Sequence, residues 1–278
     1  MPENWIVQNL NKALEVWNSK LEEIYYLISQ SPEEFRGGII WNTVCRIQGS
    51  MQAVGYALLV LFFLSGIMRN SASFAELRRP EHALKPFIRF VLSKAVITNC
   101  SNWLKTFLDV VSGMISSIAG AAGFGGAVTA EIPPEMVSAI EDCGFLESIP
   151  LWAVTLIGSL IIWVLSFTMV LTVYGRFFRL YLYTAIAPVP LSSFAGEPTQ
   201  DIGKSFLKSY AAVCLEGAAV MLACVIFSAF AGSPPVVQTG AAPAVMVWSY
   251  FGELIFNMLI LVGAVRMSDR VVREIMGI

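Results

Sequence analysis

Apolar residues recur along this chain in two different rhythms. Over residues 4–29, Ile6, Leu10, Leu14, Trp17, Leu21, Ile24 and Ile28 are spaced by threes and fours, while Lys12, Glu15, Lys20, Glu22 and Glu23 fall mostly elsewhere. That period draws one apolar stripe along a helix, which either lies on a membrane surface or packs on a partner. Ser31-Pro32-Glu33-Glu34 then reads as a break and a new helix start. Further along, the polar face disappears. The stretches 51–68, 151–174, 207–231 and 244–265 are long apolar runs, and each approaches the roughly 20 residues that cross a bilayer. The stretch 87–118 carries Arg89, Lys94, Lys105 and Asp109, yet its middle, Ala95 to Trp103, is uncharged. Lys105 and Asp109 stand four apart and can pair on one face. It is expected to be a polar-faced span buried among the others; the alternative is a helix lying at the interface.

Composition supports the same picture. Of 278 residues, 56% are hydrophobic and 14% charged, against roughly 25% charged in an ordinary soluble domain. One core cannot bury that much apolar surface, whereas a bilayer solvates it from outside. The expected fold class is therefore an all-α integral membrane protein with about five transmembrane helices, preceded by the amphipathic N-terminal helix. The expected division is a 1–46 N-terminal region and a 47–278 polytopic domain. No continuous apolar core marks a secretory signal in the first fifty residues, so none is expected there.

Basic residues set the orientation. Arg69, Arg78, Arg79, Lys85 and Arg89 crowd the connection after the first span. Residues 119–150 hold no Lys or Arg but contain Glu131, Glu135, Glu141, Asp142 and Glu147, and Arg266, Arg270 and Arg273 follow the last span. The consistent solution places the N-terminus and 119–150 outside, 69–86 and 184–206 inside, 232–243 outside and the C-terminus inside. Residues 177–195 look apolar enough for a sixth span, but that would carry Lys204, Lys208 and the C-terminal arginines outside. The stretch 151–183 is therefore read as one long helix leaving the bilayer. Arg176 and Arg179 snorkel from it, as interfacial anchors beside an aromatic belt of Phe177, Phe178, Tyr181 and Tyr183. Arg266 and Arg270 anchor the last span in the same way. Pro188 and Pro190 end the long helix and bias their predecessors towards extended backbone. Residues 187–194 then become an oligomer contact or a pore-side element, since irregular backbone at membrane depth needs protein or water beside it.

Candidate chemistry is sparse. Glu216 and Glu253 sit inside spans, where an ionised carboxylate costs several kcal/mol unless paired or wetted. They line an aqueous path, relay protons, or bond across helices as neutral acids; Asn257 shares the face of Glu253, and Asp109 is a further candidate. The single His82 and five scattered cysteines, Cys45, Cys100, Cys143, Cys214 and Cys224, offer no metal, haem or dithiol set, so no cofactor is expected. The Gly120–Gly126 run lacks the lysine and preceding strand of a phosphate loop and reads as a flexible end to the second span. Residues 131–147 read as a short extracellular helix, and the basic 69–89 loop as a site for anionic lipid, a partner or nucleic acid. No Ser-His-Asp or Cys-His arrangement has its partners, so a membrane enzyme is the weakest class.

The stretch LYLYTAIAPVPLSSF, Leu180 to Phe194, is followed by GKSFLKSY, Gly203 to Tyr210, and by the span with Cys214 and Glu216. Together these resemble the TrbL family, polytopic inner-membrane subunits of conjugative type IV secretion systems, in the short form found on integrative elements of Gram-positive bacteria. The resemblance extends over roughly residues 40–275. It implies a channel subunit for DNA transfer across the cytoplasmic membrane, in a homo-oligomeric ring with other secretion components, separate ATPases and single-stranded DNA in transit. It supplies no catalytic residue; the Pro188 and Pro190 break matches the family's proline-bearing turn, an assembly or pore element. The competing class is a secondary transporter or ion channel coupled through Glu216 and Glu253. Such proteins commonly carry paired broken helices in internal repeats, and this chain shows one proline break and no evident second copy.

Overall fold

A computed structural model of the chain describes residues 5–70, 80–121, 130–141, 145–230 and 243–278. Arg78 and Arg79, the glycine run from 122 onward, Asp142, Cys143 and the uncharged connection 231–242 lie outside the described residues. All regular structure within them is helical: α1 (Trp5–Ser29), α2 (Ile39–Asn70), α3 (Pro80–Thr98), α4 (Cys100–Ala121), α5 (Pro134–Glu141), α6 (Phe145–Ile186), α7 (Pro188–Leu191), α8 (Gln200–Phe230) and α9 (Pro243–Met276). Five helical stretches are long and apolar enough to cross a membrane: Phe35–Arg69, Cys100–Ala121, Ile149–Ile186, Glu197–Phe230 and Val245–Met276. They match the expected number. Their faces carry many exposed large apolar side chains, among them Leu61, Leu160, Phe167, Leu171, Ile226 and Phe256, the surface that acyl chains solvate.

The chain divides into two compact units. The first comprises residues 1–29, 115–174 and 219–268. Here the stripe predicted for the N-terminal helix is real, and every one of its seven named residues, from Ile6 to Ile28, is buried. The chain itself covers it, where a membrane surface or a separate partner was expected. Trp5 lies 6.0 Å from Trp152 between ring centroids. The Asn18 side-chain amide donates to Ala130 O at 3.1 Å and its oxygen accepts from Ala130 N–H at 3.0 Å. That paired contact ties α1 to the strand-free approach to α5. Tyr250 donates to Glu131 O at 2.7 Å, fixing the same approach to α9.

The second unit comprises residues 30–114, 175–218 and 269–278. Its entry turn contains three successive left-handed residues, Arg36 (φ 50°), Gly37 (φ 69°) and Gly38 (φ 75°). The break predicted at 31–34 therefore runs on to Gly38, because the two glycines accept that backbone at little cost, and α2 begins only at Ile39. The stretch 87–118 is also divided. Asn99 separates α3 from α4, and only Cys100–Ala121 is a candidate span. The hydrogen-bond ladder survives the junction, with Asn99 N–H on Ala95 O at 3.0 Å and Trp103 N–H on Asn99 O at 3.1 Å. The Thr98 hydroxyl and Asn99 amide also bond the carbonyls four residues back, a competition that bends helices. The expected Lys105–Asp109 pair does not form: Lys105 bonds Glu33 at 2.6 Å, because that acid is brought across from the entry turn, and Asp109 is exposed.

Between α2 and α3/α4 the contacts mix ring packing, Phe63 against Phe87 and Phe90 at 5.5 and 4.8 Å between centroids, with polar bonds. Gln48, fully buried, donates to Cys100 Sγ at 3.4 Å and accepts from the Ser101 hydroxyl, while Gln52 donates to Ile97 O at 3.3 Å. Such side-chain bonds hold membrane helices together where apolar burial supplies no drive.

The proline segment closes the unit. It is helical, contrary to the extended backbone expected: Ala187 has φ −48° and ψ −41°, and Leu191 N–H reaches Ala187 O at 3.2 Å. Proline has no backbone N–H to donate, and the first turn of a helix needs none, so Pro188 opens a new short helix instead of breaking the path. A 3-10 turn, Ser192–Ala195, follows, with Ser192 and Ser193 donating to Val189 O and Pro190 O at 2.6 and 2.7 Å. Ala187, Pro188, Leu191, Ser192, Ser193 and Ala195 are all buried, packed against α2 and α3. Gly55 on α2 makes the approach possible, since a Cβ there would sit 2.8 Å from Pro188 O. Replacing Gly55 by Ala is expected to lower stability by about 1–3 kcal/mol through overpacking. Thermal unfolding in detergent reads this, against Gly113→Ala, where the added Cβ meets nothing within 4 Å.

Candidate functional site

Within the second unit, charges from α6, α8 and α9 converge. Arg176 and Arg179 lie three residues apart on one face of α6. Opposite them α8 presents Glu216 followed by Gly217. Arg179 Nη2 donates to both Glu216 oxygens, at 2.6 and 2.8 Å, and Arg179 Nη1 lies 2.8 Å from Asp269 Oδ1 on α9. Asp269 in turn accepts from Arg273 Nε at 2.9 Å, one helical turn along. Four charges thus form one chain, Glu216–Arg179–Asp269–Arg273, that crosses three helices. Charge-assisted bonds of this length are the strong ones, and Glu216, only 1% exposed, depends on them.

Arg176 is different. It is 4% exposed, and its Nε and Nη1 have no hydrogen-bond partner among the described residues. Glu216 is the principal opposite charge near it, and its guanidinium carbon lies 5.7 Å from the Phe177 ring centroid. Gly217 makes the space, since a Cβ there would collide with the guanidinium. Arg176 therefore turns inward where snorkelling was expected, into space left by the missing side chain of Gly217 and beside the Glu216 carboxylate, whereas Arg179 stays partly exposed and is held by two acids.

Other expected residues stand apart. Glu253 is exposed and Asn257 half-buried on α9, in the first unit. Arg266 is exposed, and Arg270 is exposed and paired with Glu274 at 2.8 Å. Pro188 and Pro190 lie in the packed turn described above. Asp269 and Gly217 were not singled out from sequence. The signals for them are the four-residue spacing of Asp269 and Arg273, and a glycine beside an intramembrane acid. Among the described residues no group of three or more His, Cys, Asp or Glu could hold a metal ion, and Cys45, Cys100, Cys214 and Cys224 are free thiols.

Five candidate spans, three of them tied at one end by the ion pairs of Arg179, define a multi-pass α-helical membrane protein. Residues 17–188 match the family of TrbL/VirB6 plasmid conjugal transfer like proteins. That is more than half of the chain, and the protein belongs to this family, whose members are components of conjugal transfer and type IV secretion. No curated protein and no solved structure matches. The matched range contains Arg176, Arg179 and Pro188 but stops before Pro190, Glu216 and Asp269.

The ionic chain separates two effects. Arg179→Met leaves Glu216 buried without its partner and is expected to cost about 3–5 kcal/mol. Arg176→Met removes a buried cation with two unmade bonds and is expected to leave stability unchanged or raised. Unfolding in detergent, followed by circular dichroism, distinguishes the two.

Proposed function

We propose that this protein is a channel or scaffold subunit of a conjugative type IV secretion machine in the cytoplasmic membrane. It assembles with further copies of itself and with other secretion components, and mediates passage of DNA and protein. Its role is structural, and separate ATPases supply the energy. Family membership supports the machine; the position of Glu253 supports assembly. That carboxylate lies on the exposed side of α9, eight residues into the candidate span Val245–Met276. Bare exposure of an acid to acyl chains costs about 3 kcal/mol on insertion scales. A neighbouring subunit or a water-filled lumen removes that cost, with Asn257 one turn on and Asp109 on α4 as further candidates for such a face. Arg266 and Arg270 serve as interfacial anchors of α9. Pro188 and Pro190 act in assembly by fixing α2 and α3, the helices on which their turn rests.

The charge asymmetry of the connections favours an external N-terminus and an internal C-terminus, with 69–86 inside and 119–150 outside. Glu216, a coupling group in the transporter reading, is committed to Arg179, which favours the structural role.

An in-frame deletion in the native host is expected to abolish DNA transfer to recipients, with normal growth and membrane potential and with rescue by the intact gene. Undiminished transfer would overturn the proposal. For assembly, a single cysteine at Glu253, in a chain whose five cysteines are replaced by Ala or Ser, is expected to cross-link between copies in the membrane. A cysteine at exposed Leu160 serves as the lipid-facing control.

A further inference from the structure

The second unit carries a groove of about 900 Å³ bounded by α3, the start of α4, the 191–200 segment and α8. Its walls are carbon: Ile88 and Leu92 on α3, Trp103 on α4 and Leu207 on α8 all line it and all stand exposed. Two basic residues, Lys85 and Arg89, stand one helical turn apart at one end of the α3 wall. Among the described residues Arg89 has one loose ion pair, 3.6 Å to a half-exposed Glu197. Lys85 has no ion pair among the described residues.

We propose that this groove is a binding site for an anionic phospholipid, with an acyl chain along the trough and the phosphate between Lys85 and Arg89. Length supports this occupant. From Lys85 to Val96 the α3 wall runs eleven residues, about 16 Å along one helix. One leaflet of the hydrocarbon core is about 15 Å deep, so the trough is long enough for an acyl chain whose phosphate lies at the Lys85–Arg89 end. Charge supports it too. A phosphate offers several acceptors to two cations at once, and a weak, partly exposed ion pair such as Arg89–Glu197 gives way to that contact. A zwitterionic lipid brings its own cation to the same place and gains less. The site depends on the chain being in a membrane, and not on its part in DNA transfer, so the two readings fail separately.

Trp103 reports occupancy directly. The full chain is reconstituted in phosphatidylcholine vesicles containing a small fraction of either brominated phosphatidylglycerol or brominated phosphatidylcholine. Subtracting the Trp103→Phe protein isolates the Trp103 signal. Brominated phosphatidylglycerol is expected to quench Trp103 at a mole fraction about 25-fold lower than brominated phosphatidylcholine, about fivefold for each of the two cations. Lys85→Gln and Arg89→Gln are each expected to reduce that preference by about fivefold, the worth of one basic residue near an anionic surface. Lys85→Arg is expected to keep it, and Lys12→Gln, on a helix of the other unit, to leave it unchanged. Equal quenching by both lipids would overturn the site. So would a preference that survives the loss of both cations, or is lost in Lys85→Arg. Quenching by neither lipid would also overturn it, since a protein segment would then cover the groove.

Discussion

The structure turns on how a membrane-embedded helix disposes of charge. Burying a lone carboxylate or guanidinium costs several kcal/mol, and attraction repays this only when geometry and hydrogen bonds are both good. Arg179 meets those terms by reaching two acids at 2.6–2.8 Å on two different helices. Residues 175–186, 200–218 and 269–278 are thereby tied through one side chain. The tie is directional, as apolar contact is not. It fixes the rotation of each helix end about its own axis, which a bilayer leaves unspecified because lipid and leucine are equally apolar. Arg176 shows the same constraint from the other side. It is buried, short of two hydrogen bonds, and accommodated because Gly217 has no side chain.

Around that tie the second unit uses close approach. Gly55 admits Pro188, and Gly196 lies so near Phe62 O that a Cβ there would stand 2.7 Å away. The proline segment is accordingly a packed turn, its hydroxyls bonded to its own carbonyls, filling the space between α2 and α3. The polar contacts of Gln48 and Gln52 work alongside it. In the first unit the amphipathic N-terminal helix is the organising piece, its stripe buried and its Asn18 amide clasping Ala130.

Much of this was legible because it rests on period and length. The α1 stripe and the five candidate spans among the described residues follow from apolar runs. What escaped depends on distance across the fold. Sequence places Lys105 four residues from Asp109, yet the entry turn carries Glu33 to it instead. Sequence gives Arg176 a route to an interface, yet a glycine forty-one positions later offers it space inside. The extended backbone expected before Pro188 is a statistical bias, and the packing against Gly55 overrides it. The bend at Asn99 comes from two side chains that bond carbonyls four residues back, too local a competition for a hydropathy pattern to reveal.

The family match ends at residue 188, whereas the acids that complete the ionic chain lie beyond it. Arg179 is inside the matched range and joins both regions. The most direct test of the account is therefore a mating assay in a strain lacking the gene, complemented by Arg179→Met, with the membrane level of the protein measured in the same cells. The account expects folded protein and transfer to fall together, far below the wild type. Wild-type transfer from protein at its normal level would contradict it, because the ionic chain would then be needed neither for the fold nor for the machine.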